Sequence, residues 1–197
     1  MSNLKDEQFS DRHLVTGVLN GDRYAFGLII KKTEGLVAQM TFKMISSPGD
    51  RKDIAQDIYL KAFKNLSGFK FQSKLSTWIG QIAYNTCLHY LEKKKLLLMD
   101  NFGEDSGSPI GHFNKDLKND TEDLLFNKEL ATVLQTEIEL LKPLYKTLIS
   151  LYHQEDLSYA EIAEITSLPE GTVKNYIFRA RKTLKENLLL KYKRNEL

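Results

Sequence analysis

Residues 157–188 read LSYAEIAEITSLPEGTVKNYIFRARKTLKENL. Ser158, followed three residues later by Glu161, forms a capping box: a hydroxyl and a carboxylate spaced to satisfy backbone N–H groups at a helix start. The helix it opens turns Ala160, Ile162, Ala163 and Ile165 inward, and the two alanines let a second helix approach closely. Thr166 to Leu168 form the turn. Pro169 suits a first helical position, and Glu170 favours the positive end of the helix dipole. The second helix keeps Val173, Ile177, Ala180 and Leu184 on one face, at spacings of four, three and four. Its other face carries Thr172, Lys174, Asn175, Phe178, Arg179 and Lys182. Short helix, turn and long helix make a helix-turn-helix.

In that arrangement the first residues of the second helix approach base edges in the major groove, and basic residues further along reach phosphates. Thr172, Lys174, Asn175 and Arg179 are the expected base contacts. Arg181, Lys182 and Lys185 are the expected backbone contacts, with Phe178 on the same face. A basic helix by itself is more often a solvated face. Here the cap, the alanines, the Pro-Glu-Gly turn and the charge distribution together favour DNA.

That distribution is uneven although the net charge is only +2. Residues 171–195 carry 8 Lys/Arg against the single Glu186, giving +7. Residues 96–127 carry 2 against 7 Asp/Glu, giving −5, and residues 1–95 carry 15 against 9, giving +6. Two basic blocks therefore flank an acidic middle, a pattern that suggests contact with phosphate backbones.

Upstream of the helix-turn-helix, Leu124, Leu125, Leu130, Val133, Leu134 and Ile138 have helical spacing. Pro143 breaks the chain, and Leu144, Leu148, Ile149 and Tyr152 follow on one face. From Asp100 to Asp120 the chain is acidic, lacks period and is rich in Gly, Ser, Asn and Asp, as a flexible linker would be. Before it, Asp22 is placed to cap a helix carrying Ala25, Phe26, Ile29 and Ile30, continued after Gly35 by Leu36, Val37 and Met40. Another helix should follow Ser47-Pro48, with Ile54, Ile58, Tyr59, Ala62, Phe63 and Leu66 as its apolar pattern. A further one, from about Ser76 to Lys94, carries Leu75, Ile79, Ile82, Ala83, Thr86 and Tyr90 along one side. With no strand alternation in any segment, the expected class is all-α. It comprises two small helical domains, 1–98 and 121–197, joined by an acidic flexible linker over 99–120.

Three stretches together resemble a known family. GDRYAFGLIIKKTEGLV (21–37) and DRKDIAQDIYLKAFKNLSGFKFQSKLSTWIGQIAYNTCLHYLEKKK (50–95) resemble conserved region two of the extracytoplasmic-function (ECF) sigma factors of bacterial RNA polymerase. Residues 158–184 resemble their region four. The resemblance implies that region two docks on core polymerase and opens the minus-ten promoter element, while the region-four helix-turn-helix grips the minus-thirty-five element. It implies polymerase docking by Asp53, Gln56, Asp57 and Lys61, the first three of which lie at i, i+3 and i+4 opposite Ile54, Ile58 and Ala62. Residues 69–76 resemble the melting loop that captures a base flipped from the non-template strand. Phe69, Phe71, Trp78, Gln72, Ser73 and Asn85 are fitting walls and edges for that base, with Lys70, Lys74, Lys93, Lys94 and Lys95 for the phosphates. Trp78 borders the apolar stripe, so a core role fits it equally well. The loop departs from the family at Phe71, where glycine is usual, at Gln72, where an acid is common, and at Leu75, where an aromatic is usual; Glu92 also stands at an often basic position. The family further implies an anti-sigma protein as partner. In it the acidic linker would mimic RNA in the polymerase; a solubilising tether accounts for it as well.

Other classes find less support. A stand-alone helix-turn-helix regulator would bind palindromic DNA without polymerase and gives the Asp53-Gln56-Asp57 stripe no role. An enzyme is not expected: there is no phosphate-binding glycine loop, no HExxH and no paired-cysteine metal pattern, and the four histidines are scattered. Catalytic residues, metal and cofactor are expected to be none. Cys87, the only cysteine, is expected to be a small core residue. Without a signal-like N-terminus or a long apolar run, the expected location is the cytoplasm, and no regulatory domain is expected beyond the recognition helix.

Overall fold

The computed structural model describes residues 10–101 and 122–195, with side chains over 10–95 and 131–191. Within these residues all regular structure is helical. The expected linker over 99–120 falls outside the described residues except at its start, where a helix continues to Asn101.

Ser10 accepts a hydrogen bond from the His13 N–H and opens α1, Asp11–Leu19, whose Leu14, Val15 and Val18 are buried. Asp22 accepts from the Tyr24 and Ala25 N–H groups and opens α2, Arg23–Met44, which runs unbroken through Gly35 and Gly27. Pro48, whose missing N–H costs nothing in a first turn, starts α3, Pro48–Asn65. A 3₁₀ turn over Leu66–Gly68 then leads into a loop. Helix α4, Leu75–Asn101, is capped from a distance: the Asp11 carboxylate accepts from the Leu75 N–H at 2.8 Å and binds Lys32 at 2.7 Å. It outruns the expected end near Lys94 because LLLMDN contains only residues compatible with helix and no Gly or Pro.

The second group begins with α5, Glu122–Glu139, and α6, Pro143–His153. Helix α7, Tyr159–Thr166, carries the full capping box, with the Ser158 hydroxyl and backbone N–H both on the Glu161 carboxylate. Ser167 turns the chain through the left-handed region at φ 56°, and Pro169 accepts from the Thr172 and Val173 N–H groups to start α8, Glu170–Asn195.

The main core is continuous across the two groups. Ile29, Leu36, Met40, Ile58 and Ile79 from the first lie in one cluster with Leu148, Leu151, Ile162, Ile165, Val173 and Ile177 from the second. Helix α2 packs on α6, and α4 packs on α7. A smaller cluster of Ile138, Leu141, Ile149, Ala180 and Leu184 ties α5 and α6 to α8. Two modules merely joined by a tether would keep separate cores; here they share one. Cys87 sits in that core, as expected, and burial pushes its thiol up to about 12.

Glu161 does double duty, capping α7 and pairing with Lys74 of the loop before α4 at 2.7 Å. Lys74 first, then the Ser158 N–H and hydroxyl, hold its carboxyl down at about 2. Its folded value is below its unfolded one, so its contribution to stability is present above about pH 5 and is lost as pH falls toward about 2. Glu161→Gln should therefore lower stability at neutral pH and flatten the stability profile between about pH 5 and 2, read from urea melts across that range.

Candidate nucleic-acid and polymerase interfaces

Helix α8 turns Val173, Ile177, Ala180 and Leu184 into the protein, which fixes the direction of everything else on it. Lys174, Asn175, Phe178, Arg179, Arg181, Lys182 and Lys185 are exposed, and Thr172 is half-buried at the first turn. Phe178 is the outlier, an aromatic ring 66% exposed amid cations. Several of the cations have partners within the chain. Lys174 pairs with Glu170 at 2.7 Å and lies over the Tyr159 ring, which together raise its pKa, the hydrogen bond to Glu170 foremost. Lys182 stands 3.9 Å from Glu186. The Arg181 guanidinium bonds His153 Nε2 at 3.2 Å and covers the Tyr152 ring. Burial and that guanidinium together lower the His153 pKa, so the ring is neutral and accepting at pH 7. Such exposed i,i+4 pairs are worth only about 0.3–0.5 kcal/mol each and yield readily to a phosphate.

The loop before α4 is built from aromatics. Phe69 is 7% exposed, with its ring 5.3 Å from Trp78 and 4.8 Å from Phe71. Trp78 is half-buried, and Phe71 is 37% exposed. Of the three expected base-contacting aromatics, Phe69 is thus the floor, Trp78 a wall and Phe71 the presented face. Phe71 sits at φ 56°, the left-handed region that glycine enters freely and a β-carbon penalises by about 1–2 kcal/mol. The phenylalanine therefore holds a backbone conformation that glycine would adopt without strain, while carrying a ring. Arg12 of α1 lies over that ring at 4.8 Å, a contact no sequence pattern announced. Lys70, Gln72 and Lys74 are exposed and Ser73 is half-buried; Asn85 is exposed further along α4, as are Lys93, Lys94 and Lys95. Lys74 is drawn to Glu161, so the loop touches the cap of the helix-turn-helix.

On α3, Asp53, Gln56 and Asp57 are exposed while Ile54, Ile58 and Ala62 are buried, the arrangement their spacing predicts. Lys61 pairs with Asp57 at 2.8 Å and reaches Thr86 of α4 at 3.3 Å. Phe63, expected inside, is instead 52% exposed and packs edge-on against Phe26 at 5.0 Å. Leu60, equally exposed, follows Gln56 and Asp57 at i+4 and i+3. The acidic stripe thus continues into an apolar one, which the sequence reading missed because it assigned apolar residues to the core. At the N-terminus of α3, Asp50 accepts from Tyr90, which with Ser47 lowers its pKa and fixes α3 on α4. Among the described residues no group of His, Cys, Asp and Glu could hold a metal, and no helix is long and apolar enough to cross a membrane.

Family models match the chain at two places: Sigma-70 region 2 over residues 29–96, and Sigma-70, region 4 over residues 131–184. Region 2 followed by region 4 is the organisation of a sigma-70-type factor. The ECF RNA polymerase sigma-E factor of Haemophilus influenzae is 32% identical over 185 residues, 92% of this chain and 97% of the relative. That of Escherichia coli is 33% identical over 187 residues, 90% of this chain and 94% of the relative. The chain belongs to the ECF RNA polymerase sigma factors. Two solved structures share its fold. One is the sigma factor RpoE in complex with the anti-sigma factor NepR from Bartonella quintana, at TM-score 0.66 and 22% identity over 83% of this chain and 96% of that one. The other is CnrH in complex with the cytosolic domain of CnrY, at TM-score 0.60 and 21% identity over 90% and 96%.

Phe71 makes the loop's balance measurable. Phe71→Gly removes the left-handed penalty along with the ring contacts, each worth about 1 kcal/mol, so urea stability should change by less than about 1 kcal/mol. Phe71→Ala keeps the penalty and loses the contacts, and should cost about 1–2 kcal/mol.

Proposed function

We propose that this ECF sigma factor directs core RNA polymerase to promoters by gripping two DNA elements with two helical modules, residues 1–98 and 121–197, connected through 99–120. The observation that carries this reading is the pairing of two outward faces on one chain: the basic face of α8 on a capped helix-turn-helix, and the acidic stripe of α3.

The recognition helix α8 enters the major groove at the minus-thirty-five element. Thr172, Lys174, Asn175 and Arg179 meet base edges, and Arg181, Lys182 and Lys185 meet phosphates, with Phe178 against the groove wall. The loop over 69–76 captures an unstacked base of the minus-ten non-template strand. Phe71 and Trp78 stack on it above Phe69, while Gln72, Ser73 and Asn85 line its edges and Lys70 and Lys74 hold the strand. Stacking of this kind is worth about 1–3 kcal/mol per base and offsets part of the cost of extrusion. Asp53, Gln56, Asp57 and Lys61 dock on the polymerase's largest subunit, and Leu60 beside them adds an apolar contact. Bond-making belongs to polymerase, and this chain contributes no catalytic residue or cofactor. Each module binds weakly alone, and joining them on one enzyme raises the effective concentration of the second contact. An anti-sigma protein, like the NepR bound to the structural relative from Bartonella quintana, is the proposed regulator, and the cytoplasm the proposed location.

Run-off transcription with core polymerase tests the reading: specific initiation must depend on this chain. Charge reversal at Asp53→Lys and Asp57→Lys should weaken polymerase binding by about tenfold or more, with circular dichroism unchanged because both positions are exposed. Tight, polymerase-independent binding of a palindrome by the free chain would overturn it.

A further inference from the structure

Arg12 stands in the first turn of α1, at the positive end of the helix dipole, where a cation weakens a helix. The carboxylate beside it is engaged elsewhere: Asp11 accepts from the Leu75 N–H with one oxygen and binds Lys32 with the other. Arg12 turns instead to the loop before α4, where its guanidinium lies over the Phe71 ring at 4.8 Å. The residue is exposed, and among the described residues no acceptor meets its N–H groups. Neither the helix nor an ion pair accounts for an arginine here.

A guanidinium stacked on a ring keeps its N–H donors in one plane, directed outward past the ring's edge. That plane borders the loop's aromatic site, with Phe69 as floor and Trp78 as wall. The placement is fixed at both ends. Asp11, next to Arg12, holds Leu75 at the exit of the loop, and the left-handed backbone of Phe71 presents the ring.

An exposed cation–ring contact is weak, and a base stacks on an aromatic face more strongly. An unstacked base therefore takes the place of the guanidinium over Phe71, and the displaced Arg12 meets the edge of that base. Two neighbouring donors of a guanidinium match two neighbouring acceptors. Cytosine offers such a pair, O2 and N3, on its Watson–Crick edge, and guanine offers O6 and N7. On the same edges adenine and thymine set each acceptor beside a donor.

Resting on the base-capture reading above, we propose that Arg12 is a specificity-determining residue of the minus-ten site. It covers Phe71 while the site is empty, and on capture it reads the extruded base, favouring cytosine or guanine over adenine and thymine. A glycine at position 71 would offer the arginine no resting place and the base no platform.

The test uses holoenzyme assembled from core polymerase and the full chain, on a promoter from which it initiates. At each minus-ten position in turn the non-template strand carries an abasic site or one of the four bases. An abasic site faces it on the template strand, so pairing strength is the same for all. The captured base is the position where its own removal abolishes initiation. There, wild type should favour cytosine or guanine by about tenfold. Arg12→Lys keeps the charge but loses the paired donors, and Arg12→Ala loses both. Both should flatten the preference, with helix content unchanged because the position is exposed. An adenine or thymine preference in wild type, or a preference that survives in Arg12→Ala, would overturn the proposal. Equal weakening of all four templates by Arg12→Ala, restored by Arg12→Lys, would mark a phosphate contact and overturn it too. Promoter-specific initiation with no position sensitive to base removal would sink base capture and this role of Arg12 together. Loss of specific initiation in every form would sink the sigma reading itself.

Discussion

Ile162 and Ile165 stand with their side chains wholly inside the protein, on a helix of only eight residues. So short a helix has no stability of its own in water, and its existence depends on what it is pressed between. On one side it meets α8, whose Val173 and Ile177 share its cluster; on the other it meets α4. The placement of the recognition helix, the direction of its basic face and the closure of the whole chain all follow from that double burial. The capping box fixes where the helix starts, and the left-handed Ser167 fixes where it stops.

The same economy governs the charges. Lys174, Lys182 and Arg181 of α8 are held by carboxylates, aromatic rings or His153 of their own chain, at exposed positions where water screens the contact. Lys43 differs because its own side chain is only 6% exposed, while its partner Glu139 stays 41% exposed. Exposed pairs orient side chains at small cost and exchange easily, whereas a buried one binds two parts of a molecule together. Both kinds join the two halves here: Lys43–Glu139 through a buried lysine and Lys74–Glu161 through an exposed one.

Much of this was legible in the sequence. The helix-turn-helix could be read largely from its capping box and proline, which are local signals that survive folding unchanged; of the residues expected inward, Ile162 and Ile165 are buried, but Ala163 is only half-buried and Ala160 is exposed. Asp22 and Pro48 marked helix starts for the same reason. Helix α1 was overlooked: nine residues with Leu14, Val15, Val18 and Leu19 as the large apolar ones give too little periodicity to notice, although Ser10 was its cap. Phe63 was misplaced because spacing alone does not distinguish an inward ring from one lying on a neighbour's edge. The shared core was invisible in principle. Periodicity tells which face of a helix is covered but not what covers it, and Leu148 or Ile165 would read alike in one shared core or in two. The left-handed backbone at Phe71 was foreshadowed only by the family's glycine, since nothing in phenylalanine itself suggests such a conformation.

Cys87 has a practical corollary. A thiol whose pKa is pushed up to about 12 is roughly one part in 10⁵ thiolate at neutral pH, and the thiolate is the species that reacts with maleimides, disulfides and peroxides. As the single sulfhydryl of the chain, sealed among the apolar side chains of α4 and its neighbours, it leaves the native molecule chemically silent toward such reagents. A cysteine introduced anywhere on the surface would become the sole attachment point for a fluorophore or spin probe, with no endogenous sulfur to remove first.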